Sequence, residues 1–183
     1  MIITKIFRTV FQFIRQTLVE LLCVPIVDIY YNGFWTYRSH LISKGKERTK
    51  LYNAYLDRHC ASIGLKSQFK SIPTLPHGLH GIHISDGARI GRDCTIMQNV
   101  TIGSNTLAQS KKNGAPTLGD NIFIGANATI IGGISLGDNC RVGSNCCVFV
   151  NIADNHTVVN GGGCRLIPHG DSGKNNSFRF LDI

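Results

Sequence analysis

From Ile82 onward three columns of residues recur every six positions, a period that belongs neither to an ordinary strand nor to a helix. Aliphatic side chains stand at Ile84, Ile90, Ile96 and Ile102, then at Leu118, Ile124, Ile130, Leu136, Val142 and Val148. Two positions before each lies a second apolar column, often small: Ile82, Ala88, Cys94, Val100, Pro116, Ile122, Ala128, Ile134, Cys140 and Cys146. Three positions after each comes Gly, Asn or Asp, at Gly87, Asp93, Asn99, Asn105, Asn121, Asn127, Gly133, Asn139, Asn145 and Asn151. These residue types tolerate a left-handed backbone, so each unit is expected to end in a corner with positive φ. Short strand, corner and repetition together predict a triangular solenoid in which three units make a coil and like residues stack along the axis. The ten units from Ile82 amount to somewhat more than three coils, interrupted by an insertion over 105–115.

The N-terminal pattern is helical. Ile3, Ile6, Val10, Phe13 and Leu21 recur near helical spacing, and Phe7, Phe11, Ile14 and Leu18 widen the stripe until Pro25. Two readings fit: an interfacial anchor over 2–24 with Lys5, Arg8 and Arg15 near lipid headgroups, or a helix packing on the body or on sister subunits, which is the simpler. Lys5, Arg8, Arg15 and Glu20 interrupt every uncharged run, so neither a cleaved signal nor a spanning helix is expected. A second, basic helix is expected over 44–62, burying Leu51, Tyr55 and Leu56. The organisation is then a helical extension over 1–62, a solenoid over 63–167 and a polar tail over 168–183.

Composition narrows the partners. The net charge of +8 suits any anionic partner, but no dense Lys/Arg run or aromatic-rich basic strand is present, which argues against nucleic acid. The seven cysteines are odd in number and lack a zinc-ligand spacing, which suits a reduced, cytoplasmic chain, at most peripheral to the inner membrane. Cys94, Cys140 and Cys146 fall in the small apolar column and read as core residues.

The segment Leu75-Pro-His-Gly-Leu-His-Gly-Ile-His-Ile84, with Ala88-Arg-Ile-Gly and Val100-Thr-Ile-Gly103, resembles the catalytic region of serine acetyltransferases and related O-acetyltransferases. The likeness runs on through Gly114-Ala-Pro-Thr-Leu-Gly-Asp-Asn-Ile-Phe-Ile-Gly-Ala126 and Ile131-Gly-Gly-Ile-Ser-Leu-Gly137 to the closing turn Val159-Asn-Gly-Gly-Gly-Cys-Arg-Leu-Ile167. The chain is thereby similar, over roughly half its length, to the hexapeptide-repeat acyltransferase superfamily. The resemblance implies a mainly β fold, a left-handed parallel β-helix with a short α-helical N-terminal extension. It also implies a homotrimer with sites between adjacent subunits and acetyl-coenzyme A as acyl donor, with no metal expected. The handedness comes from the resemblance alone, since ordinary crossovers are right-handed.

Carried over residue by residue, the resemblance puts His77 at the catalytic histidine, with one extra residue before Gly81. A hydroxyl is a poor nucleophile at neutral pH, and a neutral imidazole can take its proton as it attacks a thioester. The resemblance assigns the oxyanion donors to the backbone around Gly103 and Ser104, and places pantetheine near Ala126 and Ser144. Arg165, Lys111, Lys112 and Arg141 are candidates for the cofactor phosphates. His80 and His83 are candidate acceptor contacts; a metal site built from them with His77 is disfavoured, because the histidine pair used by zinc-dependent relatives of this superfamily is absent from the repeats.

Serine acetyltransferases typically carry an aspartate directly before the catalytic histidine and a histidine directly before the proline that follows the loop; here those positions are Pro76 and Ala115. Both help to hold the amino-acid substrate, and the Pro-His-Gly segment with Ala-Pro after the loop instead resembles shorter enzymes that acetylate sugars; that resemblance implies a sugar or cell-surface polysaccharide precursor as the acceptor, with L-serine the alternative. A non-catalytic solenoid scaffold is the reading from another class.

Overall fold

The computed structural model describes residues 2–160 and 164–168; side chains before Val10, Lys5 and Arg8 among them, and the tail beyond Pro168 lie outside the described residues, as do the glycines at 161–163. Two compact units divide the chain, residues 1–59 and 60–183.

The first unit is helical. Helix α1 (Ile2–Pro25) runs into a π-helical segment Ile26–Tyr30, and α2 (Phe34–Ser43) and α3 (Lys50–Arg58) follow. The basic helix expected over 44–62 is therefore shorter. Gly45 at φ 59° breaks the chain after α2, and Thr49 caps α3, its Oγ1 accepting from the Tyr52 N–H at 3.1 Å. Ser62 already belongs to a strand, and α2 carries no clean apolar stripe that sequence periodicity would have revealed. Phe34, Tyr37, Tyr52 and Tyr55 form an aromatic core, with the Phe34 and Tyr55 rings stacked at 5.8 Å. Tyr55 donates to Asp28 Oδ1 at 2.7 Å, tying α3 to the π-helical segment.

Among the described residues of the second unit, fourteen strands (β1 Ser62–Ile63 to β14 Cys164–Pro168) wind into a three-faced solenoid, parallel but for β14. Face A stacks β1, β3 (His83–Ile84), β6 (Thr101–Gly103), β9 (Thr129–Ile131) and β12 (Cys147–Val148). Face B stacks β2 (Gln68–Phe69), β4 (Arg89–Ile90), β7 (Thr117–Leu118) and β10 (Ser135–Leu136). Face C stacks β5 (Thr95–Ile96), β8 (Phe123–Ile124), β11 (Arg141–Val142) and β13 (His156–Asn160), with β14 returning antiparallel along β13.

The register confirms the six-residue reading. Ile84 pairs with Ile102, Ile102 with Ile130 and Ile130 with Val148; on face C, Ile96, Ile124, Val142 and Val158 stack in the same way. Every aliphatic member of that column is buried, and each such side chain withdrawn from water contributes about 1.5–3 kcal/mol. Cys94, Cys140 and Cys146 are buried beside them, and burial pushes the Cys94 thiol up to about 11.

Two expectations change. The solenoid makes about five coils rather than three: it starts at Ser62, and Ile152 and Val158 extend it past Val148. The first coil is hidden because Phe69 replaces an aliphatic residue and the step from Leu75 to Ile84 is nine; the last because the step from Val148 to Ile152 is only four. Positive φ also fails to recur at every corner. Asp93, Asn99, Asn121, Asn127, Asn139 and Asn145 adopt it, with φ from 54° to 59°, whereas Gly87, Asn105, Gly133 and Asn151 do not. Those four all lie at the corner from face A to face B, where Asn105 opens the insertion and the Asn151 side chain accepts from the Ser135 N–H.

By length and composition alone, Val10–Tyr30 is long enough and apolar enough to cross a membrane, with Arg15 and Glu20 inside that stretch.

Candidate functional site

The corner from face C to face A carries the histidine-rich segment. On later coils six residues separate the aliphatic positions across this corner, as from Ile96 to Ile102. On the first coil Thr74 pairs with Thr95, so Leu75 stands level with Ile96, and three extra residues intervene before Ile84. They make two consecutive turns. Gly78 N–H donates to the Leu75 carbonyl at 3.0 Å and Ile82 N–H to the Leu79 carbonyl at 3.1 Å, with Gly78 and Gly81 at φ 64° and 66°. A β-carbon at Gly81 would also collide with the Asn99 side chain, so only glycine fits there. Leu79 is buried and pins the loop, leaving His77 and His80 exposed at its tip.

Backbone hydrogen bonds continue this corner down the solenoid. Asn99 N–H donates to the His80 carbonyl at 3.0 Å, Asn127 N–H to Gln98 at 3.1 Å and Asn145 N–H to Ala126 at 2.9 Å. His80, Gln98 and Ala126 thus occupy one column, which Ser144 continues as the residue before Asn145. The structure brings His77 and His80 onto the same edge as Ala126 and Ser144. Sequence reasoning missed Gln98, whose Oε1 is buried with no partner among the described residues; the signal was its place directly before a corner asparagine.

Gly103 and Ser104 lie at the other end of face A, where β6 gives way to the insertion. The insertion is a closed hairpin: Asn105 and Gly114 exchange two backbone hydrogen bonds of 2.8 Å, Asn105 Nδ2 donates to Ser110 Oγ at 2.8 Å, and Asn113 Nδ2 to the Leu107 carbonyl at 3.0 Å. Its base is fastened to the next coil, with Gly133 N–H donating to the Lys112 carbonyl at 2.8 Å and Lys112 Nζ reaching Asn151 Oδ1 at 3.4 Å. Lys111 is exposed beside it.

Packing distinguishes Gly103 from the glycines of the neighbouring turns. At Gly119 a β-carbon would meet Gly137 C at 2.8 Å and Asp138 N at 2.9 Å, and at Gly91 it would strike the Gly119 carbonyl. At Gly103 it would meet only Ile131 Cγ1 and Thr101 Cγ2, at an ordinary 3.6 Å. The coil therefore does not require a bare residue there.

His77 and Gly103 do not meet within one chain. From Asn99 to Gly103 the chain is extended across face A, and four steps at ~3.3 Å put its two corners roughly 13 Å apart. The remaining candidates scatter: His83 points outward from face A in line with Thr101, Arg141 is half-buried on face C, and Arg165 is exposed on β14. Among the described residues no group of three or more His, Cys, Asp or Glu is placed to hold a metal.

Known proteins share this architecture. The bacterial transferase hexapeptide (six repeats) family matches residues 115–149. The serine acetyltransferase of Staphylococcus aureus strain Mu50 is 31% identical over 136 residues, covering 70% of this chain and 62% of that protein. That of Staphylococcus xylosus is 35% identical over 86 residues, covering 47% and 34%. The native serine acetyltransferase 1 of Entamoeba histolytica superposes with a TM-score of 0.56 at 29% identity, covering 66% of this chain and 47% of that one. The chain shares the hexapeptide repeat and the left-handed β-helix fold of these acyltransferases. Its solenoid is accordingly left-handed, as the resemblance implied. The chain spans between about a third and two thirds of the length of these two staphylococcal relatives.

Proposed function

We propose that this protein is an acetyl-coenzyme A-dependent O-acetyltransferase with His77 as general base. The observation that carries the reading is the pairing of an exposed histidine, held on a purpose-built double turn, with a glycine at the opposite corner that packing does not demand.

Neutral His77 accepts the acceptor hydroxyl's proton as the oxygen attacks the thioester carbonyl carbon. The carbonyl π electrons move onto oxygen, where the backbone N–H groups around Gly103 and Ser104 stabilise the charge. The intermediate collapses, the C–S bond breaks, and the imidazolium returns its proton to the thiolate. The products are an acetyl ester and free coenzyme A. Ala126 and Ser144, small residues on the His77 edge, leave room for the pantetheine arm, and Lys111 and Arg165 supply exposed charge for the phosphates. Lys112 and Arg141 are the weaker candidates, since Lys112 is already bonded to Asn151 and Arg141 is half-buried.

The separation of roughly 13 Å between the two corners supports a homotrimer, in which His77 of one subunit faces the Gly103 corner of the next. For the acceptor, the relatives' names support L-serine, and none supports the sugar or polysaccharide precursor that the sequence suggested. The sugar reading rests on a specific observation, Pro76 and Ala115 at the two positions where serine enzymes carry aspartate and histidine. Exposed His80 and His83 flank either acceptor.

The test is coenzyme A release from acetyl-coenzyme A with L-serine and with nucleotide-activated sugars. The expected result is acceptor-dependent release that falls on the order of 10²–10⁴-fold in His77→Ala. Gly103→Ala should fold normally yet lose roughly tenfold or more in rate, because its methyl crowds the thioester. No release with any acceptor, together with no binding of acetyl-coenzyme A, would sink the enzyme reading in favour of a scaffold.

A further inference from the structure

The helical unit carries a surface that neither acetyl transfer nor its own core uses. Val10, Phe11, Ile14, Leu18, Leu21 and Leu22 are all 44–69% exposed. At 100° per residue these six fall within an arc of about 120° on α1. Beyond its end, Ile29 and Tyr30 are 80% and 79% exposed.

We propose that this face of α1 lies in the plane of an anionic lipid bilayer, with its apolar arc in the acyl boundary and the basic residues of the unit near the headgroups. Two observations choose this occupant. Residues 1–59 hold nine Lys and Arg against four Asp and Glu, among them the exposed run Lys44, Lys46, Arg48 and Lys50 just before α3. An anionic surface complements that charge, whereas a second copy of the unit presents the same sign and is repelled. The other side of α1 is polar and already faced by charged residues: Gln16 and Glu20 line a cleft with Lys50, Asp57 and Arg58 of α3, and Arg15 stands at the border between that cleft and the apolar arc. A spanning helix would drag those groups into hydrocarbon, so the length of Val10–Tyr30 does not make it a span. Phe13, 72% exposed, lies off the arc and is the one large apolar side chain of this stretch that in-plane binding leaves wet.

The experiment uses the full-length protein in vesicle flotation, with phosphatidylcholine alone and with phosphatidylcholine mixed with phosphatidylglycerol. Flotation with the anionic vesicles, weakened by salt and released by alkaline carbonate, is expected. F11E/L18E should weaken it on the order of a hundredfold while circular dichroism and oligomeric state stay as in the wild type. Charge reversal at Lys44 and Lys46, away from the apolar arc, should weaken it by roughly tenfold. Three results would each overturn the proposal. They are failure of the wild type to float with anionic vesicles, resistance to carbonate, which marks a span, and a loss of oligomer in F11E/L18E, which assigns the face to sister copies.

Discussion

Asn139 separates two contributions to the stability of the solenoid. It sits at φ 58°, accepts from Asn121 Nδ2 at 2.7 Å and donates from its own Nδ2 to Asn155 Oδ1 at 3.0 Å. Asn139→Ala keeps a β-carbon on the left-handed backbone but loses the short polar side chain that makes that conformation tolerable, at about 1–2 kcal/mol, and removes two hydrogen bonds worth about 1 kcal/mol each. The total is about 3–4 kcal/mol. Asn139→Gly loses the same two bonds but accepts the left-handed conformation, and adds only the ~0.5–1 kcal/mol of extra chain entropy that glycine gives up on folding. For a chain of this length 1 kcal/mol shifts Tm by about 2–4 °C, so alanine should lower Tm by about 6–16 °C and glycine by a few degrees less. Thermal unfolding followed by circular dichroism, with urea midpoints as a check, reads both. If alanine proved as stable as glycine, the corner geometry would not be what selects asparagine, and the argument for positive φ in the third column would fail.

The glycines supply a second pair. Gly119→Ala should destabilise by about 1–3 kcal/mol because the backbone of the next coil must move, while Gly103→Ala should cost under about 1 kcal/mol, both read from urea midpoints. Native alkylation at neutral pH should label exposed Cys60 and Cys147 and spare buried Cys94 and Cys140, with peptide mass spectrometry as the readout. Burial raises the Cys94 thiol from its ordinary 9.0 to about 11, and raises Cys140 and Cys146 too. Between those values the unfolded chain has lost a proton that the fold still holds, so stability should fall as pH climbs through that window; urea midpoints that stay flat there would contradict it. Asp120 works in the other direction: the Arg92 N–H and Lys70 hold its carboxyl below the usual range, so its small contribution is present above the ordinary carboxylate pKa and fades as pH falls through the lowered one. Asp120→Asn should flatten that acid limb of the urea-midpoint profile slightly.

The solenoid was legible because one physical demand repeats. Ile84, Ile102, Ile130 and Val148 stack on one another, so each coil presses the same requirement on the same place in the sequence. What escaped were the places where the repeat is broken by local steps. The nine-residue step from Leu75 to Ile84 hid the first coil, although Ile63 and Leu75 keep its spacing around Phe69. The same broken step builds the double turn under His77, so the irregularity that obscured the fold is the one that presents the histidine. In the helical unit, α2 was invisible because its buried residues Phe34, Tyr37, Arg38 and Leu41 are set by aromatic packing rather than by a continuous stripe.

The candidate site was legible as residues but not as a place. Sequence spacing cannot tell which of three corners a residue occupies until the coils are phased, and phasing needs the register across Thr74 and Thr95 on the first coil and Ile102 and Ile130 beyond the insertion. Once phased, His77, His80, Gln98, Ala126 and Ser144 fall on one corner, and Gly103, Ser104 and the 105–115 hairpin on another. A rigid solenoid cannot bend these corners together, because each coil is fixed by hydrogen bonds to the coils above and below. If the chemistry needs both, it needs a second chain. That makes a mixing experiment decisive for the proposed homotrimer: His77→Ala and Gly103→Ala assemblies, each impaired alone, should regain part of the activity when dissociated and reassembled together, since some interfaces then pair an intact His77 with an intact Gly103. No recovery from verified mixed trimers would put both groups in the same chain's site and refute the split-corner reading.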